Sequence, residues 1–306
     1  MEDKYIALIG LGVVGAPLAN LLFKKFKKNF ILLSSKELLP TLKNIYINGD
    51  YFSPNVVYKK SQLKKRVGVV FVCVKNYQLD GVIKLLHHLI NEETIIVPLQ
   101  NGIYSYDTFR NKFPTNIVLE GFAQGPNTNI LKNIYNYQKP GIFHIGSSKD
   151  EWKIFAKQIV DEMISANINS LYDENIRHEV WKKLMLNVAG NAITALTGID
   201  YCMFVKSSET QLLCRETMKE FMAVANFLGV GITDKDIEDT IAYFLSFKVS
   251  KKTSMLEDVT NLRPTENDYI AGYVYQVAKE LSIATPHIET LYNLVRIKED
   301  VYSKRI

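Results

Sequence analysis

One stretch near the start of this chain restricts its fold more than any other. Residues 5–9 are apolar and short, as a buried strand should be; Gly10-Leu11-Gly12-Val13-Val14-Gly15 follows at once, and residues 16–25 carry helix-period patterning. In a strand–turn–helix unit the three glycines have separate tasks. Gly10 permits the tight turn, Gly12 lets the backbone approach a pyrophosphate, and Gly15 lets the helix lie close on the strand. The helix N-terminus then offers unpaired N–H groups to an anion, with Leu11, Val13 and Val14 forming the rest of the loop. The motif places a dinucleotide site at the first strand of an α/β sheet.

The pattern continues for about 170 residues. Runs at 5–9, 30–33, 67–74, 94–99 and 117–120 read as strands, and 16–25 and 79–90 as helices between them, a βαβ series that builds a parallel sheet. Residues 130–145 read as an antiparallel excursion ending in a strand at 141–145, and a helix is expected at 151–166. From residue 175 the periodicity becomes helical throughout, with helices expected at 176–196, 209–228, 234–248, 267–281 and 287–301. Gly229 after Leu228 marks one helix end; Thr285-Pro286 and Thr265-x-x-Asp268 mark helix starts. The expected fold is α/β: an N-terminal Rossmann-like, doubly wound parallel sheet over residues 1–172, and an all-helical second domain over 173–306.

Composition excludes other classes. The 306 residues are 47% apolar and 23% charged, which rules out a disordered or fibrous chain, and the longest apolar run, 69–74, is far too short to span a bilayer. Cys73, Cys202 and Cys214 are odd in number and lack C-x-x-C spacing, so neither a disulfide framework nor a zinc site is expected. Met1-Glu2-Asp3-Lys4 runs into the first strand with no secretory leader, and a cytoplasmic location is expected. The net charge of +5 sits largely in clusters at residues 24–28 and 64–66, read as solvated helix ends rather than a nucleic-acid surface.

Four further features carry chemistry. After the second strand, where an NAD-specific chain places a carboxylate for the ribose 2′-hydroxyl, stand Ser34-Ser35-Lys36, with Glu37 only after them; hydroxyls and an ammonium favour a 2′-phosphate, hence NADP(H). Lys75 and Asn101 follow apolar runs immediately, at the carboxyl ends of strands where ligands of such sheets bind. Lys183, Asn187 and Asn191 recur every four positions, each rotated about 40° from the last, as one polar stripe on an otherwise apolar helix. Two buried asparagines need partners, and a substrate cleft supplies them. Finally, Ser254 offers a hydroxyl that could donate to a carboxylate, and Glu266 is expected in the first turn of the helix that follows it; taken alone, both read as cap or surface residues.

These strings together resemble the ketopantoate reductase (2-dehydropantoate 2-reductase) family: the glycine loop, V-K-x-x-Q at 74–78, Q-N-G at 100–102, N-I-R-x-E-x-W-x-K-L-x-x-N-x-x-x-N at 175–191 and S-M-x-x-D-x-x-x-x-R-x-T-E at 254–266. The resemblance implies an NADPH-dependent reduction of ketopantoate to pantoate in pantothenate and coenzyme A biosynthesis. It makes Lys183 the catalytic lysine and Glu266 its acidic partner. Asn187, Asn191, Ser254 and Asn101 become substrate-side positions, and Lys75, Gln78 and Asn101 cofactor-side positions. The departure lies at Ser34, Ser35 and Lys36, where the family commonly has an arginine. A small 2-keto acid is the expected partner, with no nucleic acid, no membrane and no metal; a homodimer is allowed. The alternatives are a reductase of another branched 2-keto or 3-hydroxy acid on the same plan, and a non-catalytic NADP(H)-sensing protein.

Overall fold

The computed structural model describes residues 4–204, 206–248 and 250–304; the opening Met1-Glu2-Asp3 lies outside them. Internal contacts divide the chain into two units: residues up to 101 with 105–177, and residues 102–104 with those from 178 onward.

The first unit is built on a five-stranded parallel sheet in the order β5-β2-β1-β6-β7, with β1 Tyr5–Ile9, β2 Phe30–Leu33, β5 Asn55–Val57, β6 Val67–Val72 and β7 Ile95–Pro98. The strands run outward from β1 in both directions, the doubly wound arrangement. Every residue of β1, β2 and β6 is buried, which is why these runs read as continuous rather than alternating apolar sequence. Helices α1 Gly15–Phe26, α2 Leu79–Leu89, α3 Tyr104–Lys112 and α4 Lys153–Ser165 accompany it. Leu18 and Leu22 of α1, Ile159 and Met163 of α4, and Ile6, Phe30, Val69 and Phe71 of the sheet share one core.

Three expectations need correcting here. The strand foreseen at 67–74 stops at Val72, because Cys73 and Val74 turn against Gly10: Cys73 N–H donates to the Ile9 carbonyl at 2.8 Å. The strand foreseen at 117–120 is reduced to a single bridge between Ile96 and Val118, and the real strand, β8 Glu120–Gln124, begins where it was expected to end. The excursion at 130–145 is antiparallel as expected, but it also recruits residues read as loop. Strands β9 Asn127–Leu131 and β10 Ile134–Lys139 join β3 Ile45–Ile47 and β4 Asp50–Phe52 in a second sheet, while β8, β11 Ile142–Gly146 and β12 Ser170–Tyr172 form a third. Strands of three residues carry too little periodicity to be read locally.

The second unit is helical: α5 Ile176–Thr197 (its first two residues counted with the first unit), α6 Tyr201–Phe204, α7 Ser208–Phe227, α8 Asp234–Leu245, α9 Ser254–Thr260, α10 Ala271–Glu280 and α11 Pro286–Ser303. Helix α5 is its axis, with Val180, Trp181, Leu184, Met185, Val188, Ala189, Ala192 and Ile193 all buried. Gly190 is required for that packing, since a Cβ there would lie 2.7 Å from the Phe244 ring of α8. The helix foreseen at 234–248 ends at Leu245, and α9 was not foreseen at all. The helix foreseen at 267–281 is split: a 3₁₀ turn, Asn267–Tyr269, precedes α10, and Glu266 stands at the N-cap of that turn rather than inside a helix. Thr285 occupies the expected cap position of α11 without a capping bond; the Glu220 carboxylate of α7 instead accepts from the N–H groups of His287 and Ile288, both at 3.0 Å. A carboxylate satisfies two donors and the helix dipole at once. No helix among the described residues is long and apolar enough to cross a membrane.

The segment joining the units is pinned to the first. Asp173 pairs with His144 of β11 at 2.8 Å, Glu174 with Lys153 of α4 at 2.7 Å, and Arg177 with Glu120 of β8 at 3.1 Å. Burial raises the Glu120 carboxyl above its ordinary pKa, while Arg177 and the Ser148 N–H pull it back.

Candidate active site

In the first unit the glycine loop is built as its spacing requires. Gly10 has φ +95°, and a Cβ on it would lie 2.8 Å from Val74 Cγ1 and from the Val74 backbone nitrogen. A Cβ on Gly15 would collide with the Gly10 carbonyl oxygen. Gly12 differs: a Cβ there would meet nothing within 4 Å, so the space beside its backbone is open. Val14 is the N-cap of α1 and supplies no side-chain cap, and the first turn holds no acidic residue. Leu11 packs against the core, Val13 is exposed, and the Val13 carbonyl accepts from the Thr128 hydroxyl at 2.7 Å, tying the loop to β9. An uncapped helix N-terminus behind an open glycine suits a pyrophosphate.

At the end of β2, Ser34 is buried and its N–H donates to Val57 at 3.1 Å, which commits it to the sheet. Ser35 stands at the N-cap position of the next 3₁₀ turn without a side-chain capping bond, and Lys36 is exposed. The Glu37 carboxylate is held below its ordinary pKa by its own backbone N–H and by the Ser35 hydroxyl. The sequence places Glu37 only after the two hydroxyls and the ammonium; the fold brings its carboxylate back onto the Ser35 hydroxyl.

Lys75 and Gln78 bound a 3₁₀ turn in which Gln78 Oε1 accepts from the Lys75 N–H at 3.1 Å. Buried Asn76, which the sequence reading passed over, donates from Nδ2 to the Asn101 carbonyl at 3.1 Å and so joins the ends of β6 and β7. The first unit therefore brings the glycine loop, Lys75 and Asn101 to one end of its sheet, with Gly10 against Val74. Gln100, also passed over, is buried with neither end of its amide hydrogen-bonded among the described residues. A buried Asn or Gln next to a strand end is the signal that would have found both.

In the second unit, α5 carries Lys183, Asn187 and Asn191 as one stripe. Asn191 Nδ2 donates to Asn187 Oδ1 at 3.3 Å, both residues are buried, and Asn187 Nδ2 has no hydrogen-bond partner among the described residues. Burial of the Lys183 ammonium pushes its pKa down to about 8, while the charge of Glu266 acts in the opposite sense. Glu266 is itself 5% exposed. Ser254 is exposed at the first position of α9, directly after the cap residue Thr253. A lysine that is half in its neutral form near pH 8, a buried carboxylate and two oriented amides can together bind a polar substrate and move a proton.

A glycine loop on a doubly wound sheet, continued in the same chain by an all-helical unit with a lysine–asparagine stripe, defines a class of two-unit α/β proteins. The family model described as Ketopantoate reductase PanE/ApbA matches residues 6–150, and its companion, Ketopantoate reductase PanE/ApbA C terminal, matches residues 175–299. The chain belongs to the ketopantoate reductase family. It is 25% identical over 252 residues to a 2-dehydropantoate 2-reductase of Streptococcus pyogenes serotype M1, covering 80% of each chain. It is 23% identical over 300 residues to that of Escherichia coli O157:H7, covering 98% of this chain and 96% of the other. Among solved structures, 2-dehydropantoate 2-reductase from Methylococcus capsulatus superposes with a TM-score of 0.84 at 26% identity, covering 98% of each chain. D-mandelate dehydrogenase with NADH and anilino(oxo)acetate superposes with a TM-score of 0.87 at 22% identity, covering 98% of this chain and 100% of the other.

Proposed function

We propose that this chain is an NADPH-dependent reductase of 2-dehydropantoate (ketopantoate), forming pantoate, with Lys183 as the proton donor. The observation that carries the reading is Lys183 itself: an ammonium held on a buried polar stripe, with a pKa pushed to about 8 and a buried carboxylate acting on it. A structural lysine gains nothing from such a pKa, whereas a general acid works best with one near the ambient pH.

The residues of the first unit fit a nicotinamide dinucleotide: the Gly10–Gly15 loop and the α1 N-terminus for the pyrophosphate, Lys36 for the 2′-phosphate, and Lys75, Gln78 and Asn101 at the strand ends. When bound, that group supplies a hydride to the ketone carbon. Lys183 stabilises the negative charge growing on the ketone oxygen and then gives it a proton. Glu266 keeps the lysine from losing its charge altogether. Asn187 and Asn191 orient the substrate, and Ser254 donates to its carboxylate. Preference for NADPH rests on Lys36, since Glu37 on the Ser35 hydroxyl opposes a phosphate there. The substrate assignment would place the chain in pantothenate and coenzyme A biosynthesis, in the cytoplasm. A homodimer is the assembly we carry forward, in line with the dimeric ketopantoate reductase from Staphylococcus aureus that shares this fold.

The test follows NADPH and NADH oxidation against a panel of 2-keto acids that includes ketopantoate. Saturable NADPH oxidation with ketopantoate is expected. Oxidation with none of the panel would remove the reductase reading, and turnover with other 2-keto acids alone would remove the substrate.

A further inference from the structure

The polar stripe of α5 does not stop at Asn191. Three residues further on, Thr194 is fully buried, and its hydroxyl donates to the Asn191 carbonyl at 3.0 Å. The same oxygen lies 2.7 Å from the hydroxyl of Thr253, which is 3% exposed and caps α9 by accepting from the Leu256 N–H at 3.1 Å. Thr194 has one hydroxyl proton, already given to Asn191, so the short contact has a single direction: Thr253 donates and Thr194 accepts. The bonds form an ordered chain from the Leu256 N–H to Thr253, from Thr253 to Thr194, and from Thr194 to the Asn191 carbonyl.

This chain is placed where the proposed substrate site needs it. Ser254 is exposed at the first position of α9 and follows Thr253 directly. The orientation of Thr253 therefore sets that of Ser254. Helix α9 has only seven residues, too few to hold its position by its own hydrogen bonds. An N-cap hydroxyl normally turns freely to suit its helix. Here it is fixed by a second hydroxyl on α5, the element that carries Lys183, Asn187 and Asn191.

We propose that Thr194 is a positioning residue for the substrate carboxylate: through Thr253 it registers Ser254 against the lysine–asparagine stripe. The inference rests on the reading of Ser254 given under Proposed function. It also explains why a buried hydroxyl occupies an otherwise apolar position of α5: a valine there would leave the buried Thr253 hydroxyl without its acceptor.

The experiment compares Thr194→Val, Thr194→Ser, Ser254→Ala and the Thr194→Val/Ser254→Ala double variant with the wild-type chain. Ketopantoate is varied at saturating NADPH, NADPH affinity is measured by fluorescence titration without substrate, and thermal unfolding is recorded. Thr194→Val is expected to raise KM for ketopantoate about five- to tenfold, the scale of one lost buried hydrogen bond or slightly more, with kcat within about twofold and NADPH affinity unchanged. Thr194→Ser should restore KM, and the double variant should be no worse than Ser254→Ala, because both changes act on one contact. If Thr194→Val does not fold, Thr194→Ala carries the same expectation without the added methyl. A wild-type KM in the folded variant, a raised KM that serine fails to restore, or full additivity with Ser254→Ala would overturn the inference and leave the reductase reading standing. If Ser254→Ala itself leaves KM unchanged, or the wild-type chain does not turn over ketopantoate, the underlying reading fails and the inference with it.

Discussion

Two adjacent lysines of α5 meet opposite fates. Lys182 points its ammonium at the start of α8, 2.9 Å from Asp236 and 3.5 Å from Asp239. Burial works against its charge, but the hydrogen bond and charge of Asp236, with Asp239 and Glu179 behind it, raise its pKa above the ordinary value. Asp236 also accepts from the Thr233 N–H and hydroxyl, at 2.9 and 2.7 Å, and lies 3.3 Å from His178 Nε2. Lys183, one residue and about 100° further round the helix, loses more to burial than the charge of Glu266 restores, and its pKa falls to about 8. The residue type is the same, and the helix is the same. What separates the two pKa shifts is the balance between burial and the carboxylates near each ammonium.

The contrast can be broken most severely at Lys183. Lys183→Ala should lower turnover at least about 100-fold, with NADPH binding retained in a fluorescence titration, whereas Lys182→Met should leave turnover within about twofold. Near-normal turnover by Lys183→Ala would end the contrast. The next largest effect is on the substrate side: Asn187→Ala or Asn191→Ala should raise KM for the keto acid about tenfold through the loss of orienting hydrogen bonds, read from initial rates.

pH sharpens the comparison. With Lys183 as the proposed proton donor, kcat for reduction should be level below about 8 and fall with increasing pH above it. The stability effect has the opposite direction in pH. The folded pKa lies below the unfolded value near 10.5, so the unfolded chain binds more protons between the two, and the penalty for the buried ammonium is full below about 8 and relieved as pH rises toward 10.5. The stability of Lys183→Met relative to wild type should therefore decline as pH rises from 7 toward 10, by no more than roughly 3 kcal/mol, read from melting curves across that range. Lys182→Met should lose on the order of 1 kcal/mol in denaturant unfolding, since it strips Asp236 of its cation. The smallest effect belongs to Lys36→Glu, expected to reduce the NADPH/NADH preference several-fold in kcat/KM while leaving Tm unchanged.

Much of this was legible before any coordinates. The glycine loop, the buried runs of β1, β2 and β6, and the stripe of α5 announce themselves because each is a local periodicity imposed by one element's own geometry. The short strands β3, β4 and β5 were not legible, because three residues cannot display a period and their pairing with distant β10 and β2 decides their state. Helix α9 was missed for a similar reason: its cap, Thr253, is recognisable only once its partner on α5 is known. Glu266 was placed in a helix because Thr265 and Asp268 imitate a start signal, yet Thr265 accepts from Asn267 N–H at 3.1 Å and the chain makes a 3₁₀ turn before α10 begins.

The sequence by itself determined the kinds of element, the place of the loop that suits a pyrophosphate, and the family, since these follow from the order of residue types along the chain. Only the tertiary structure decided which lysine loses its proton easily, that Glu37 sits on Ser35, and that Thr194 and Thr253 join α5 to α9. A pKa and a hydrogen bond depend on what burial removes and which group comes near, and both are settled by residues remote in the chain.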